Sequence, residues 1–184
     1  MQISGGVCSA GAAEFPLEVS DTMPMKSTRE MFAHELADLY DAEHQFLAAQ
    51  HMMHAKATDT KLKAMIKEHI AESEQQIKNL ERVFGILGDK PKRQHCDGAE
   101  GIVSEGKKAI AEAGSPEMAD SIIAGGATKA EHYEMVSYAD LIEVATLLKL
   151  RQAIPLLEEN REQEVRTSRR LERASPRLLR QIAA

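Results

Sequence analysis

Two pairs of long helical patterns, each pair separated by only a few residues, restrict the fold of this 184-residue chain more than any other feature. Apolar residues recur at steps of three and four from Phe32 to Met53 and again from Leu62 to Val83. The second pair of patterns runs from Ile123 to Leu148 and from Leu157 to Leu171. Helices joined by so short a link must lie antiparallel, so the patterns predict two helical hairpins.

Local signals predict where the helices of the first hairpin begin and end. Ser27 opens an S-x-x-E capping pattern, which favours a helix start, and this helix ends near Lys56. The turn residues 58–60 then begin a second helix, which the glycines Gly85 and Gly88 end.

The link between the hairpins, residues 89–115, is long and contains one short helical stretch over 98–113. Ser115–Pro116 is typical of a helix start, because proline is favoured at the first helical position. The second hairpin turns near 149–151, and Ser175–Pro176 is predicted to end its last helix. A long crossover between two hairpins predicts an all-α, ferritin-like four-helix bundle with a short fifth helix.

Composition supports this fold and excludes several classes of protein. Strand-favouring aromatic residues make up only 4% of the chain and tryptophan is absent, so an all-β fold is excluded. The net charge of −6 argues against nucleic-acid binding, which requires a basic surface. No apolar run is long enough to cross a membrane, and two cysteines are too few for a disulfide framework. We therefore expect a cytoplasmic protein.

The chain is predicted to divide into three parts. Residues 1–26 are rich in glycine, alanine and serine and are expected to form a flexible arm. Residues 27–174 carry the helical patterns of the bundle, and residues 175–184 are expected to form a C-terminal tail.

Five glutamates fall on or beside the apolar stripes at matching depths. Glu43 and Glu72 lie about 14 residues before and after the first turn. Glu134 and Glu164 lie about 16 and 14 residues from the second turn, and Glu131 precedes Glu134 by one helical turn. Equal distances from a turn give equal heights in an antiparallel hairpin. The sequence therefore predicts that five carboxylates meet at mid-height in the core.

Five buried carboxylates repel one another, so cations or protons must compensate their charge. Two divalent ions would neutralise four charges, and iron or manganese suits oxygen ligands. This favours a dinuclear carboxylate site between facing helices. The alternative is that some glutamates point outward, sit in a hydrated bundle, or pair with Arg161 or Lys129.

The Glu-x-x-His pattern that usually completes such a site on two helices is absent. Glu72 is followed by Gln75 and Gln76, of which Gln76 could offer a carbonyl oxygen to a metal. His69 precedes Glu72 by three positions and therefore points inward one turn away. It either binds the metal or is a core histidine bonded to one of the glutamates.

Several motifs resemble those of the YciF/YciE-type family of bacterial stress proteins. They lie at residues 39–45 (LYDAEHQ), 69–77 (HIAESEQQI), 83–88 (VFGILG) and 131–134 (EHYE), and occur in the family's order. The resemblance implies a ferritin-like bundle related in shape to rubrerythrin, which also places Glu-x-x-Glu on its third helix. It further implies a homodimer and an association with stress.

Together these observations predict a stress-response protein with two iron or manganese ions, which could reduce peroxide or dioxygen. The expected ligands are Glu43, Glu72, Glu131, Glu134 and Glu164, assisted by Gln76 or His69. The rival interpretation is a metal-free helical dimer with a structural or partner-binding role. Gln163 and Thr167 favour it, because they stand where further metal ligands would be expected.

Overall fold

A computed structural model describes residues 24–183. This part of the chain contains five helices and no strand: α1 (Thr28–Lys56), α2 (Thr60–Leu87), α3 (Asp97–Ala111), α4 (Pro116–Leu147) and α5 (Ile154–Ile182). α1 pairs with α2 and α4 pairs with α5, while the short α3 in the crossover packs on α1 and α4. The predicted fold class is confirmed. The predicted arm, residues 1–26, falls outside the described residues except at 24–26.

Most helix ends follow from local side-chain chemistry. The side chains of Ser27, Asp59 and Ser115 each accept a hydrogen bond from a backbone N–H in the first turn of their helix. Gly88 ends α2 with a φ of 84°, a left-handed conformation that glycine adopts without strain. Lys149 also has a positive φ, 59°, in the tight turn before α5.

The end of α5 differs from the sequence prediction. The helix continues through Pro176 to Ile182, so the prediction that it ends at 175–176 is wrong. Leu178 is fully buried in the same apolar cluster as Leu62 and Leu171. A proline inside a helix costs about 3 kcal/mol, and burial of a leucine together with an ion pair from Arg177 to Asp59 offsets that cost.

Two apolar clusters fill the bundle, one near each end. The first includes Phe32, Phe84 and Leu157, and the second includes Ile66 and Ile123. On α2 and α5, most of the buried polar residues lie between the segments that form the two clusters, and Glu43 on α1 and Glu131 and Glu134 on α4 lie near the boundary between the clusters. The polar residues therefore form a layer across the middle of the bundle, with apolar packing on either side.

A buried aspartate ties the two hairpins together at one end of the bundle. The Asp120 carboxylate on α4 accepts hydrogen bonds from the Thr58 backbone N–H at 2.8 Å, the Thr58 hydroxyl at 2.6 Å and the Asp59 N–H at 2.8 Å. These bonds hold the turn between α1 and α2 against α4.

Within residues 24–183, none of the helices has both the length and the apolar character that crossing a membrane would require.

Candidate metal centre

All four long helices contribute buried side chains to the polar layer. Helical spacing explains the arrangement, because residues three or four positions apart share one face of a helix. The inward-facing members are Glu43 on α1, His69 and Gln76 on α2, Glu131 and Glu134 on α4, and Asn160 and Glu164 on α5.

Four of these side chains converge on one point. His69, Glu131, Glu134 and Glu164 each offer one ligand atom, and these atoms all lie within 4.8 Å of one another. The His69 Nε2 atom lies 3.1 Å from Glu131 Oε1 and 3.6 Å from Glu164 Oε2. Donor atoms about 2 Å from a shared ion lie within about 4 Å of each other, which is close to this arrangement.

Glu43 completes the acidic set from α1. The Tyr138 hydroxyl donates a hydrogen bond to Glu43 Oε1. Burial raises the pKa of Glu43 to about 7, and the charge of Glu131 adds to this, while the Tyr138 hydrogen bond and the charge of His69 act in the opposite direction. The carboxyl therefore ionises less readily than an exposed glutamate.

The remaining pKa shifts reflect the same crowding of acids. Burial, followed by the charges of neighbouring carboxylates, raises the pKa values of Glu134 and Glu164 well above their ordinary value. Burial lowers the pKa of His69, but Glu131 and Glu72 together outweigh this and raise it to about 10. Lys129, which the sequence suggested as a compensating cation, instead pairs with Glu105 on α3.

Several buried atoms of the layer have no hydrogen-bond partner among the described residues. Buried polar atoms are nearly always paired, so a cluster of unpaired ones needs a physical explanation. A cation among His69, Glu131, Glu134 and Glu164 would satisfy the unpaired carboxylate oxygens there, and the donor set suits a divalent iron or manganese ion. The unpaired atoms are Glu43 Oε2, Gln76 Oε1, Glu131 Oε2, Glu134 Oε1 and Glu164 Oε2.

Neutral side chains hold the acids in place. Gln76 donates its Nε2 to Glu164 Oε1, which leaves its own carbonyl oxygen unpaired in the layer. The Asn160 Nδ2 donates to the Tyr138 hydroxyl at 2.9 Å and in turn the Asn79 Nδ2 donates to Asn160 Oδ1 at 2.8 Å. Asn79 was not anticipated as part of the site, although it lies one turn beyond Gln76 on the buried stripe of α2.

Glu72 lies at the edge of the layer, with 27% of its side chain exposed. One of its oxygens is 3.4 Å from His69 Nδ1, and the Arg166 guanidinium donates to the other at 3.2 Å. The hydrogen bond from His69 lowers the pKa of Glu72, helped by Arg166 and opposed by partial burial. Glu72 thus orients His69 from outside, and His69 occupies the interior position.

Comparisons with known proteins agree with this architecture. A family model described as a domain of unknown function, DUF892, matches residues 27–184. Protein YciF of Escherichia coli strain K12 is 33% identical over 150 residues, covering 81% of this chain and 90% of YciF. The crystal structure of the E. coli stress protein YciF has a TM-score of 0.80 at 30% identity, covering 85% of this chain and 99% of that one.

A second solved structure is YcfI from Rhodopseudomonas palustris, for which a structural role has been suggested. It is 29% identical with a TM-score of 0.78, covering 80% of this chain and 94% of YcfI. The predicted relationship to YciF-type stress proteins is confirmed. Because the family model spans all five helices, the chain belongs to the DUF892 family.

Proposed function

We propose that this chain is a metal-binding stress-response protein that holds two iron or manganese ions in its bundle core. The observation that carries the proposal is the convergence of four buried ligand atoms within 4.8 Å, which supports one ion. The unpaired oxygens of Glu43 and Gln76 are the further donors from which a second ion would take its ligands. The proposed ligands are Glu43, Glu131, Glu134 and Glu164, with His69 and the Gln76 carbonyl assisting and Glu72 acting at the edge.

The side chains of the layer have separable tasks. Glu72 accepts a hydrogen bond from His69 Nδ1, which orients the ring with Nε2 toward the layer, and Nε2 would give up its proton on binding a metal ion. The Tyr138 hydroxyl donates a hydrogen bond to Glu43 Oε1. The apolar clusters on either side of the layer exclude water from it. When bound, iron or manganese would supply the electrons for reducing a small oxidant, peroxide or dioxygen.

The first test is the metal content of untagged protein, purified without chelator and gel-filtered. We expect about two iron or manganese ions per chain, as in other dinuclear carboxylate bundles. Glu134→Gln should lower the metal content and leave the helical circular dichroism unchanged. Glu143→Gln, an exposed change on the same helix, is the matched control and should retain full metal content.

Two results of these measurements would count against metal binding. Near-zero metal after anaerobic loading with Fe(II) or Mn(II) would contradict the proposal. An increase in stability of Glu134→Gln with unchanged metal content would also show that this glutamate is not a ligand.

The second candidate function is a metal-free helical dimer with a structural or partner-binding role. The raised pKa values of Glu43, Glu134 and Glu164 favour it, because protonated carboxyls can occupy the core without a cation. The structural role suggested for YcfI points the same way. A dimer mass by light scattering combined with the absence of bound metal would support this function over the first.

A further inference from the structure

An apolar cavity of about 50 Å³ lies beside the polar layer, between α3 and the helices of the bundle. His69 and Glu131 line it together with apolar residues. Both side chains are almost completely buried, and Glu131 Oε2 is among the unpaired atoms of the layer. Apolar side chains supply most of the wall, including Met52, Met53, Met65, Ile66, Ile110 and Ile123.

Two glycines on neighbouring helices line this cavity. Gly106 on α3 and Gly126 on α4 both line it, and a Cβ atom at either position would meet no atom within 4 Å. Among the described residues only Gly88 is a glycine with positive φ, so neither backbone requires glycine. Glycine destabilises a helix interior relative to alanine. The open space beside these two glycines is part of the cavity, so a larger side chain at either position would extend into it.

We propose that the cavity binds dioxygen and opens onto the converging ligand atoms at His69 and Glu131. The part that bound dioxygen would play in catalysis rests on the proposed function. The volume is far below the roughly 150 Å³ at which an engineered apolar cavity binds benzene, which restricts the occupant to a very small molecule. Peroxide could find hydrogen-bond partners only at the few polar residues of the lining, so the wall, which is mostly apolar, favours an apolar occupant. Dioxygen is the small oxidant that satisfies both conditions.

The direct test uses dioxygen itself as the probe of the purified, metal-free full-length protein. Dissolved dioxygen is paramagnetic, so it enhances NMR relaxation of methyl groups near the place where it resides. We expect strong enhancement at Met53 and Ile123, and weak enhancement at Leu36, which is buried in the other apolar cluster.

A leucine at position 126 should fill the cavity. Gly126→Leu should abolish the enhancement at Met53 and Ile123, whereas Gly125→Leu should retain it. Gly125 is the matched control, because it is exposed on the same helix and does not line the cavity. Gly106→Leu fills the same space from α3 and provides a second variant should Gly126→Leu fail to fold.

The iron-loaded protein gives the second measurement. Gly126→Leu should slow dioxygen consumption about tenfold relative to Gly125→Leu, since a filled cavity no longer admits an apolar gas. The rate of reaction with added peroxide and the iron content should remain within about twofold.

Each alternative result has a distinct meaning. Equal relaxation at Leu36 and Met53 in the unaltered protein, or an unchanged dioxygen rate in Gly126→Leu, would overturn the inference. A third result would separate the two proposals. If the protein binds no iron, but shows the methyl enhancement and loses it in Gly126→Leu, then the proposed metal function is refuted and dioxygen binding in the cavity is supported.

Discussion

At the centre of the polar layer, one hydroxyl connects an acid to an amide. Tyr138 donates to Glu43, and Asn160 donates to the same hydroxyl from α5. Burial and the nearby charge of Glu43 raise the pKa of Tyr138 well above its ordinary value, so the hydroxyl keeps its proton for this bond. A single residue thus joins three helices at the candidate metal centre.

Removing this hydroxyl should destabilise the protein. Tyr138→Phe leaves an oxygen of Glu43 and an N–H of Asn160 buried without partners, which we expect to lower the free energy of unfolding by about 1–3 kcal/mol. Tyr40→Phe is the matched control, because the Tyr40 hydroxyl bonds to the exposed Glu81 and its loss should cost about 1 kcal/mol or less. Urea denaturation of both variants measures the difference, and equal losses would contradict the prediction.

Among the helices, α5 shows most clearly how packing overrides a local signal. Pro176 lacks the backbone N–H of a regular helix, and yet the helix continues for six further residues to Ile182. Leu178 lies beyond the proline and is buried completely, whereas its neighbour Leu179 is 55% exposed. Tertiary packing of one face therefore maintains the last part of the helix.

This difference between adjacent leucines is directly testable. Leu178→Ala should lower the free energy of unfolding by about 2–5 kcal/mol, because it creates a cavity in the second apolar cluster. Leu179→Ala should change it by about 0.5 kcal/mol or less, since the side chain is mostly in solvent. A disordered tail from residue 175 onward would instead make both substitutions neutral in a denaturation experiment.

At the scale of the whole molecule, an ion pair closes one end of the bundle. The Arg177 guanidinium, near the end of α5, forms two bonds of 2.5 and 2.8 Å with Asp59 at the start of α2. These bonds, together with the Leu62 backbone N–H, hold the pKa of Asp59 well below its usual value of 3.8. The pair therefore links the first hairpin to the last turns of the second.

The depressed pKa gives this link a defined pH dependence. Its stabilising contribution is present above the ordinary pKa of Asp59 and is lost as the pH falls below it, because protonation breaks the ion pair. We expect Arg177→Gln to lower the melting temperature at pH 7 and to make its decline between pH 4 and about pH 2 less steep. Arg180→Gln, at an exposed position on the same helix, should behave like the unaltered protein in both respects.

Helix positions and site depth were predictable because they depend on local spacing. Ser27 and Ser115 begin helices through their own side chains, and Gly88 ends one through its backbone conformation. The depth of the acids follows from counting residues from each turn, and the structure places Glu43 and Glu164 in the predicted layer. Such features need no knowledge of how the hairpins pack together.

What counting could not determine is the rotation of each helix about its own axis. Counting gave Glu72 the depth of the other acids, but it did not determine how far this side chain is turned from the buried face that carries His69. Packing of α2 against α5 turns His69 inward and leaves Glu72 beside Arg166 at the edge. The same packing brings Asn79 onto Asn160 across the layer.

The amino-acid sequence by itself determined five helices, their order, the long crossover and the height at which the acids meet, since each depends on residues close together in the chain. The tertiary structure alone decided which side chains face one another, that α5 continues past Pro176, and that glycines on α3 and α4 leave a cavity beside His69. Those features arise from contacts between distant segments, where burial outweighs local preference.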